Sequence, residues 1–476
     1  MSPVSVVAIA ATVITAVGLA FAPLTIDEGW FLQVCRRVRR GERLYEEVFF
    51  GAGPVAVWIG ALAFRFSRPQ GLVLRALSLL YMVVAATTAT WTVQAAGVGW
   101  AASTSTGLLV AALTGRGVRS HYGLVSTIGI LAAAGSILVS QWLLAGLLLG
   151  IAAVSKYSTG ALATLVLVPA VFWSGGLAGT AQVGLGIALV VAVVGAVLGV
   201  RGLHWFLERA VRNKGIYLDH GTIGLGPGLR ALWLGGGPAT SRLLSILAYL
   251  SVPVAIAATA TSIVANPRPV MAVAVGLAVL AALSWFPRAD AAHAAASAAL
   301  AVTALGIATM SLDTTSSGLP MVVAATGVAV LSVASSVIST PHNPRHDLPS
   351  FRWVPVPRSG RPWPDRTQDL IERAGRDVFL VRPDAALVYA SGGIRNRTPF
   401  DYPFTTTFGK TGQAEVIGAI RSGTVSHVCI GPPIPQDFEP RELLEFVEAE
   451  MTQIATCDAG TLWALRSDRA PSQPSG

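Results

Sequence analysis

Residues 25–54 read TIDEGWFLQVCRRVRRGERLYEEVFFGAGP, and this loop decides how the rest of the chain is read. An uncharged apolar run, residues 3–22, precedes it, and Asp27 and Glu28 follow a few residues beyond the end of that run. On a helical wheel Trp30, Phe31, Val34, Cys35 and Val38 share one arc, Arg36, Arg39 and Arg40 lie opposite, and Arg37 flanks the apolar edge. A helix of that kind lies in the plane of a membrane interface. The loop continues through Gly41, Tyr45 and Phe49 to Gly53 and Pro54, with Pro54 suited to the first turn of the next helix. Two readings of the acidic pair stand side by side: carboxylates facing a water-filled cavity, and interfacial carboxylates paired with nearby arginines.

The composition agrees with a membrane setting. Of 476 residues 53% are hydrophobic and only 12% charged, with a mean hydropathy of +0.61; soluble domains carry about 25% charged residues. A soluble enzyme, a disordered chain and a disulfide scaffold are excluded together, the last because three cysteines cannot staple a chain of this size. The net charge of +9 divides unevenly: residues 1–340 hold 19 Lys and Arg against 9 Asp and Glu, and residues 341–476 hold 15 against 16. The basic excess therefore belongs to the membrane part, where it orients loops and meets anionic headgroups. No nucleic-acid-binding signature accompanies it.

A crossing needs about 20 apolar residues. Helix candidates are 3–22, 54–66, 71–95, 98–114, 121–139, 142–173 broken near Lys156, 181–203, 242–264, 269–286, 290–310 and 318–339. Ala20-Phe21-Ala22 resembles a signal-peptide cleavage site, but no positive segment precedes the run, so an uncleaved first helix is expected. Arg65, Arg68 and Arg75 surround one turn and Arg116 and Arg119 another, which reads both as cytoplasmic and residues 23–53 as outside. One crossing, or a re-entrant pair, over 142–173 then puts the loop 204–241 and the C-terminal part outside; two crossings put both inside. After Thr340 a proline-rich linker, 341–365, leads to a soluble unit, 366–469, and a frayed tail, 470–476. Strands are expected at 378–381, 387–390, 427–430 and 462–465, and helices at 367–375, 412–422 and 440–452, giving a small α/β domain.

Three further stretches carry ionisable groups. Gly146 and Gly150 permit close helix packing ahead of Lys156, the lone Asp, Glu, Lys or Arg between Arg119 and Arg201, which either snorkels to an interface or meets an anion. Asp290 and His293 share a helical face behind Arg288, where they hold a phosphate, a sugar hydroxyl or one another, or simply cap a membrane helix. The loop 201–242 contains Arg209, Arg212 and Lys214, a cationic set suited either to a lipid phosphate or to the interface alone. Motifs for serine hydrolases, P-loop nucleotide binding and helical zinc proteases are absent from the sequence. Cys429 and Cys457 fall in one domain and are candidates to pair, leaving Cys35 free.

The arrangement Asp27-Glu28, Gly41, Tyr45, Gly53-Pro54 resembles the first luminal loop of the GT-C glycosyltransferases, nearest to family 39, the protein O-mannosyltransferases and the bacterial aminoarabinose and mannosyl transferases. Gly146 to Lys156 and Arg288 to His293 resemble further segments of that family, and Tyr389 and Asn396 its outer domain. The resemblance implies a polytopic α-helical membrane protein of about 11 to 13 transmembrane helices with a small extracytoplasmic α/β domain. It implies a multi-pass enzyme of the cell membrane and envelope that moves a sugar from a polyprenyl-phosphate donor, with inversion, to a hydroxyl of a glycan, lipid or protein acceptor. Asp27 is then the general base and Glu28 shapes the site. Tyr45, Lys156, Arg209, Arg212, Lys214, Arg288, Asp290 and His293 are the substrate-binding candidates, with a divalent cation, Mg or Mn, as an alternative counter-charge. A lipid-linked-sugar transporter and a non-catalytic membrane partner are the competing classes.

Overall fold

The computed structural model of the protein describes residues 1–22, 24–66, 70–114, 120–212, 224–227, 230, 239–285, 291–311, 318–339, 351, 354, 363–391, 393–457 and 459–466. It is a helical bundle capped at one end by a small α/β domain. The bundle helices are α1 (Pro3–Phe21), α2 (Ile26–Arg39), α3 (Pro54–Phe66), α4 (Gln70–Ala95), α5 (Trp100–Thr114), α6 (His121–Leu138), α7 (Trp142–Ser155), α8 (Tyr157–Trp205), α9 (Ala239–Ala265), α10 (Pro269–Leu283), α11 (Ala291–Ala308) and α12 (Gly318–Ser339). Among the described residues, six helices are long and apolar enough by themselves to cross a membrane, and four shorter ones are apolar.

The first loop folds differently from a simple connection between two crossings. At 13 residues α3 is about 20 Å long, short of the roughly 30 Å of hydrocarbon. Instead of crossing, it packs alongside α2: Cys35 Sγ donates to Val57 O at 3.6 Å and Arg39 Nη1 to Phe64 O at 3.0 Å. The chain thus returns to where α1 ended, and Arg75 Nη2 in the first turns of α4 donates to Ala22 O at 3.0 Å. Arg65 near the end of α3 and Arg75 near the start of α4 therefore lie at the same end as the first loop, opposite to the sequence expectation. Arg68, Arg116 and Arg119 lie outside the described residues; the helices flanking the latter two approach this end, with Thr114 beside Met82 and His121 beside Ser78.

The stretch 142–173 makes two passages, α7 and the first limb of α8, separated by a break at Lys156 (φ −139°, ψ 87°). Alone this would invert everything after it. Because α3 does not cross, the two departures cancel, and the far parts return to the first-loop end. Described passages are α1, α4, α5, α6, α7, the two limbs of α8 on either side of Gly176, and α9 to α12. Gly176 (φ 60°) and Gly199 (φ 67°) take up the backbone conformations that break α8 into limbs. Its second limb packs on α7, where Gly146 faces the Val183 backbone and Gly150 faces Val190, as the glycine spacing predicts. Beyond Gly199 the chain enters a π-helical turn, Phe206–Arg212.

In the α/β domain, helix α13 (Trp363–Ala374) precedes strand β1 (Val378–Val381), and the sheet adds β2 (His427–Ile430), β3 (Met451–Cys457) and β4 (Gly460–Leu465). Strand order is β1-β2-β4-β3, with β1 and β2 parallel and the other pairings antiparallel. Residues 387–390, expected as a strand, belong to a helix, α14 (Ala385–Ser391), and all seven of its residues are buried. A short apolar run has no periodicity that separates strand from helix; here it seats against α2. Helices α15 (Gly412–Arg421) and α16 (Arg441–Glu450) match expectation, whereas β3 was hidden behind the C-terminal turn of α16. The proline-rich linker lies mostly outside the described residues.

Arg36 and Arg37 of α2 are docked onto this domain. Arg36 donates to Ala390 O, and Arg37 donates to Thr398 O at 2.9 Å and pairs with Asp401 at 3.1 Å. Gly29 makes the seat possible, since a Cβ there would lie 2.3 Å from Leu387 Cγ. Trp30 stacks on Tyr402 at 5.3 Å.

Candidate active site

Four segments meet at the capped end: the start of α2, the end of the first loop, the α7–α8 junction and the π-helical turn. Thr25 caps α2 with a capping box: its hydroxyl accepts from Glu28 N at 3.2 Å, and Glu28 Oε2 accepts from Thr25 N at 2.9 Å. Glu28 Oε1 also meets Arg75 Nη1 at 3.1 Å, with side-chain exposures of 0% and 6%. Glu28 therefore holds the start of α2 in place. Asp27, one residue earlier on the first turn, is exposed and presents its carboxylate outward from a helix start that its neighbour locks. Beneath, Phe31 stacks on His121 at 4.5 Å, and His121 Nε2 lies 3.4 Å from Ser78 Oγ.

Lys156 sits at the helix break with both neighbours held. Gly53 N donates to Ser155 O at 3.0 Å, and the Tyr157 hydroxyl donates to Ala210 O. Lys156 is half-buried and forms the cap position of α8, a helix start without a side-chain cap hydrogen bond. The open N–H groups of such a start and an adjacent ammonium suit a phosphate. Gly53 has no alternative at its position: a Cβ would lie 1.8 Å from Val154 O, a backbone atom unable to move aside. Gly53→Ala is expected to separate the first loop from the α7–α8 junction, costing more than about 2 kcal/mol and read as lowered thermal stability in detergent; unchanged stability would contradict this packing.

Tyr45 is buried, adopts a positive φ of 70° and donates its hydroxyl to Ala52 O at 2.6 Å. Burial pushes its phenol up, so it stays a neutral donor. Its carbonyl accepts from Arg209 Nη1 at 2.7 Å, and Arg209 also meets Glu46 O at 2.9 Å and pairs with Glu415. Tyr45 and Arg209, both substrate-binding candidates, tie the first loop to the π-helical turn and the α/β domain. Arg212 is exposed and paired with Glu208. His293 lies half-buried at the start of α11. Lys214, Arg288 and Asp290 lie outside the described residues. No group of three or more His, Cys, Asp or Glu that could hold a metal occurs among the described residues, and no step is assigned to a divalent ion.

Sequence reasoning named Arg37 and Asn396 but missed Asp401 and the buried knot that the three form under the domain: Asn396 Nδ2 donates to Asp401 Oδ1 at 3.1 Å, beside the Arg37 pair. The separation of more than 350 residues left no local signal. Cys429 and Cys457 do come together, both as thiols. Their contact holds Cys457 down to about 6 and, with burial, pushes Cys429 up.

No protein-family model matches the chain, and no curated protein matches it significantly. Its fold is nevertheless shared with solved structures. The apo oligosaccharyltransferase of Archaeoglobus fulgidus superposes with a TM-score of 0.55 at 12% identity, over 89% of this chain and 69% of that one. The same organism's oligosaccharyltransferase AglB, in complex with an inhibitory peptide and a dolichol-phosphate, gives 0.54 at 12% identity over 99% and 75%. The arabinofuranosyltransferase AftD from Mycobacteria gives 0.51 at 13% identity over 96% of this chain, which spans 40% of that longer one.

Proposed function

We propose, from the premise that this chain has the GT-C glycosyltransferase fold, that it is a membrane glycosyltransferase using a polyprenyl-phosphate sugar. The acceptor hydroxyl gives its proton to the Asp27 carboxylate as its oxygen attacks the anomeric carbon. The bond to the phosphate oxygen breaks on the opposite face, polyprenyl phosphate leaves, and the anomeric configuration inverts. Lys156 and the first N–H groups of α8 meet the charge that grows on the leaving phosphate, and preorganised donors of this kind lower such barriers. The observation that carries the reading is the pairing of an outward-facing Asp27 on a doubly locked helix start with a lysine at a helix break, at the same end of the bundle. A transporter is less well supported, since the described ionisable groups gather at one end instead of at mid-bundle.

Lys156→Ala is expected to raise the KM for the lipid-linked donor about tenfold or more, the scale of one charge-assisted hydrogen bond, while Lys156→Arg keeps most of the affinity. Equal kinetics for the alanine variant and the unaltered protein would remove Lys156 from the donor site.

We place this end outside the cytoplasm. The positive-inside rule, applied to the observed topology, points the other way, because Arg268 is the sole Lys or Arg in the described turns of the opposite end. At the site end, however, Arg36, Arg37, Arg39, Arg75 and Arg209 are bound within the fold and are not available to headgroups. Alkaline phosphatase fused behind Gly476 is expected to be active and a green fluorescent protein fused there dark. The reverse pattern would put the site in the cytoplasm and turn the donor question towards soluble nucleotide sugars.

A further inference from the structure

Away from Asp27, at the C-terminal end of α2, a cleft of about 690 Å³ opens between the first loop and the α/β domain. Its size falls within the range of small-ligand sites. Five arginines and three glutamates line it, but the two signs are not equally engaged. Glu42 pairs with Arg37, Glu46 with Arg43 and Arg201, and Glu47 with Arg43. Arg397 is held by Asp377 in a two-pronged pair. Arg40, Arg376 and Arg395 are exposed on the rim and have no side-chain ion pair or hydrogen bond among the described residues. Two elements far apart in sequence thus bring three uncommitted guanidinium groups to one concave surface, while every acid in it is neutralised. The floor is polar as well, with Gln33, Tyr389 and Asn396.

Guanidinium forks recognise carboxylate and phosphate oxygens in paired hydrogen bonds. From Asp27 to Arg40 along α2 the distance is about 20 Å at 1.5 Å per residue. A group in the cleft is therefore not the reacting hydroxyl. We propose that this cleft holds an oxyanion-bearing stretch of an extended acceptor glycan, carboxylated or phosphorylated, well away from the hydroxyl that receives the sugar. The proposal rests on the glycosyltransferase reading and adds to it the class of acceptor. The cleft acts as a distal subsite: it fixes which polymer is glycosylated without touching the reacting atoms.

The test uses the full chain in uncharged phosphatidylcholine nanodiscs. Fluorescence anisotropy reads binding of labelled oligogalacturonate, oligo(glycerol phosphate) and a neutral maltooligosaccharide of the same length. At least one anionic oligomer is expected to bind about tenfold or more tightly than the neutral one, with affinity falling as salt rises. Arg376→Gln and Arg395→Gln, both exposed on the α/β domain, are each expected to weaken that binding about tenfold, with thermal stability unchanged. Which oligomer binds separates carboxylate from phosphate recognition. Equal binding of anionic and neutral oligomers, or full affinity in the double variant, would overturn the proposal. So would a cleft that takes no glycan while the double variant loses adsorption to phosphatidylglycerol vesicles, which would make it a headgroup site. Asp27→Asn is expected to bind as the unaltered protein does, so loss of the catalytic reading and loss of the cleft show up in different assays.

Discussion

Asp27→Asn is expected to reduce sugar transfer by about a hundredfold to ten-thousandfold, the range associated with removing a general base. The expectation follows from where the carboxylate sits. Asp27 is exposed, and the capping box and the Glu28–Arg75 pair that fix α2 do not involve its side chain. Asparagine keeps the shape and removes only the basic oxygen. Thermal stability should then move by no more than about 0.5 kcal/mol, as for ordinary exposed positions. Donor KM should hold, because the leaving phosphate is met by a different element. An inactive but unfolded variant would make Asp27 a structural carboxylate, and full activity would remove its catalytic role.

Loss of Glu28 is expected to act in the opposite manner, through the fold first. Its carboxylate and the Arg75 guanidinium are both buried, and removing one member of such a pair strands the other charge at a cost of about 3–5 kcal/mol. Glu28→Ala should therefore unfold at much lower temperature, with activity falling alongside. Glu28→Gln separates the two jobs, since glutamine still completes a capping box but carries no charge for Arg75. Combining Glu28→Ala with Arg75→Leu should recover part of the stability lost by the first change alone, because no buried charge is left over. Additive losses in that double-variant cycle would show that the pair contributes nothing specific. A stable Glu28→Ala protein would contradict the buried pair outright.

Much of this architecture is written in local pattern, and the failures have a common cause. The apolar runs, the helix break at Lys156, the glycines of α7 and the strands at Val378 and His427 each depend on neighbours within a turn or two, and the sequence reads them well. Helix α3 is apolar in the same way, but it packs along α2 instead of crossing, and hydropathy does not distinguish the two. The arginine-based orientation failed for a related reason. A guanidinium bound to a carbonyl, as Arg39 is to Phe64, looks the same in sequence as one resting among headgroups. The contacts of Tyr45 and Arg209 were equally illegible: Tyr45 bonds the backbone of the first loop, and Arg209 binds that same loop and Glu415 of the last domain. Arg37 and Asp401 meet only because the last domain folds back over the first loop, a contact beyond any spacing rule.

The central claim is that chemistry on a lipid-phosphate sugar occurs at the Asp27 end. Its most direct test is release of free polyprenyl phosphate when the purified protein in nanodiscs is given a panel of polyprenyl-phosphate sugars with mixed hydroxyl acceptors. Release from at least one donor by the unaltered protein, and none by a folded Asp27→Asn variant, is the predicted result. No release from any donor by folded protein, or equal release by both forms, would contradict the account.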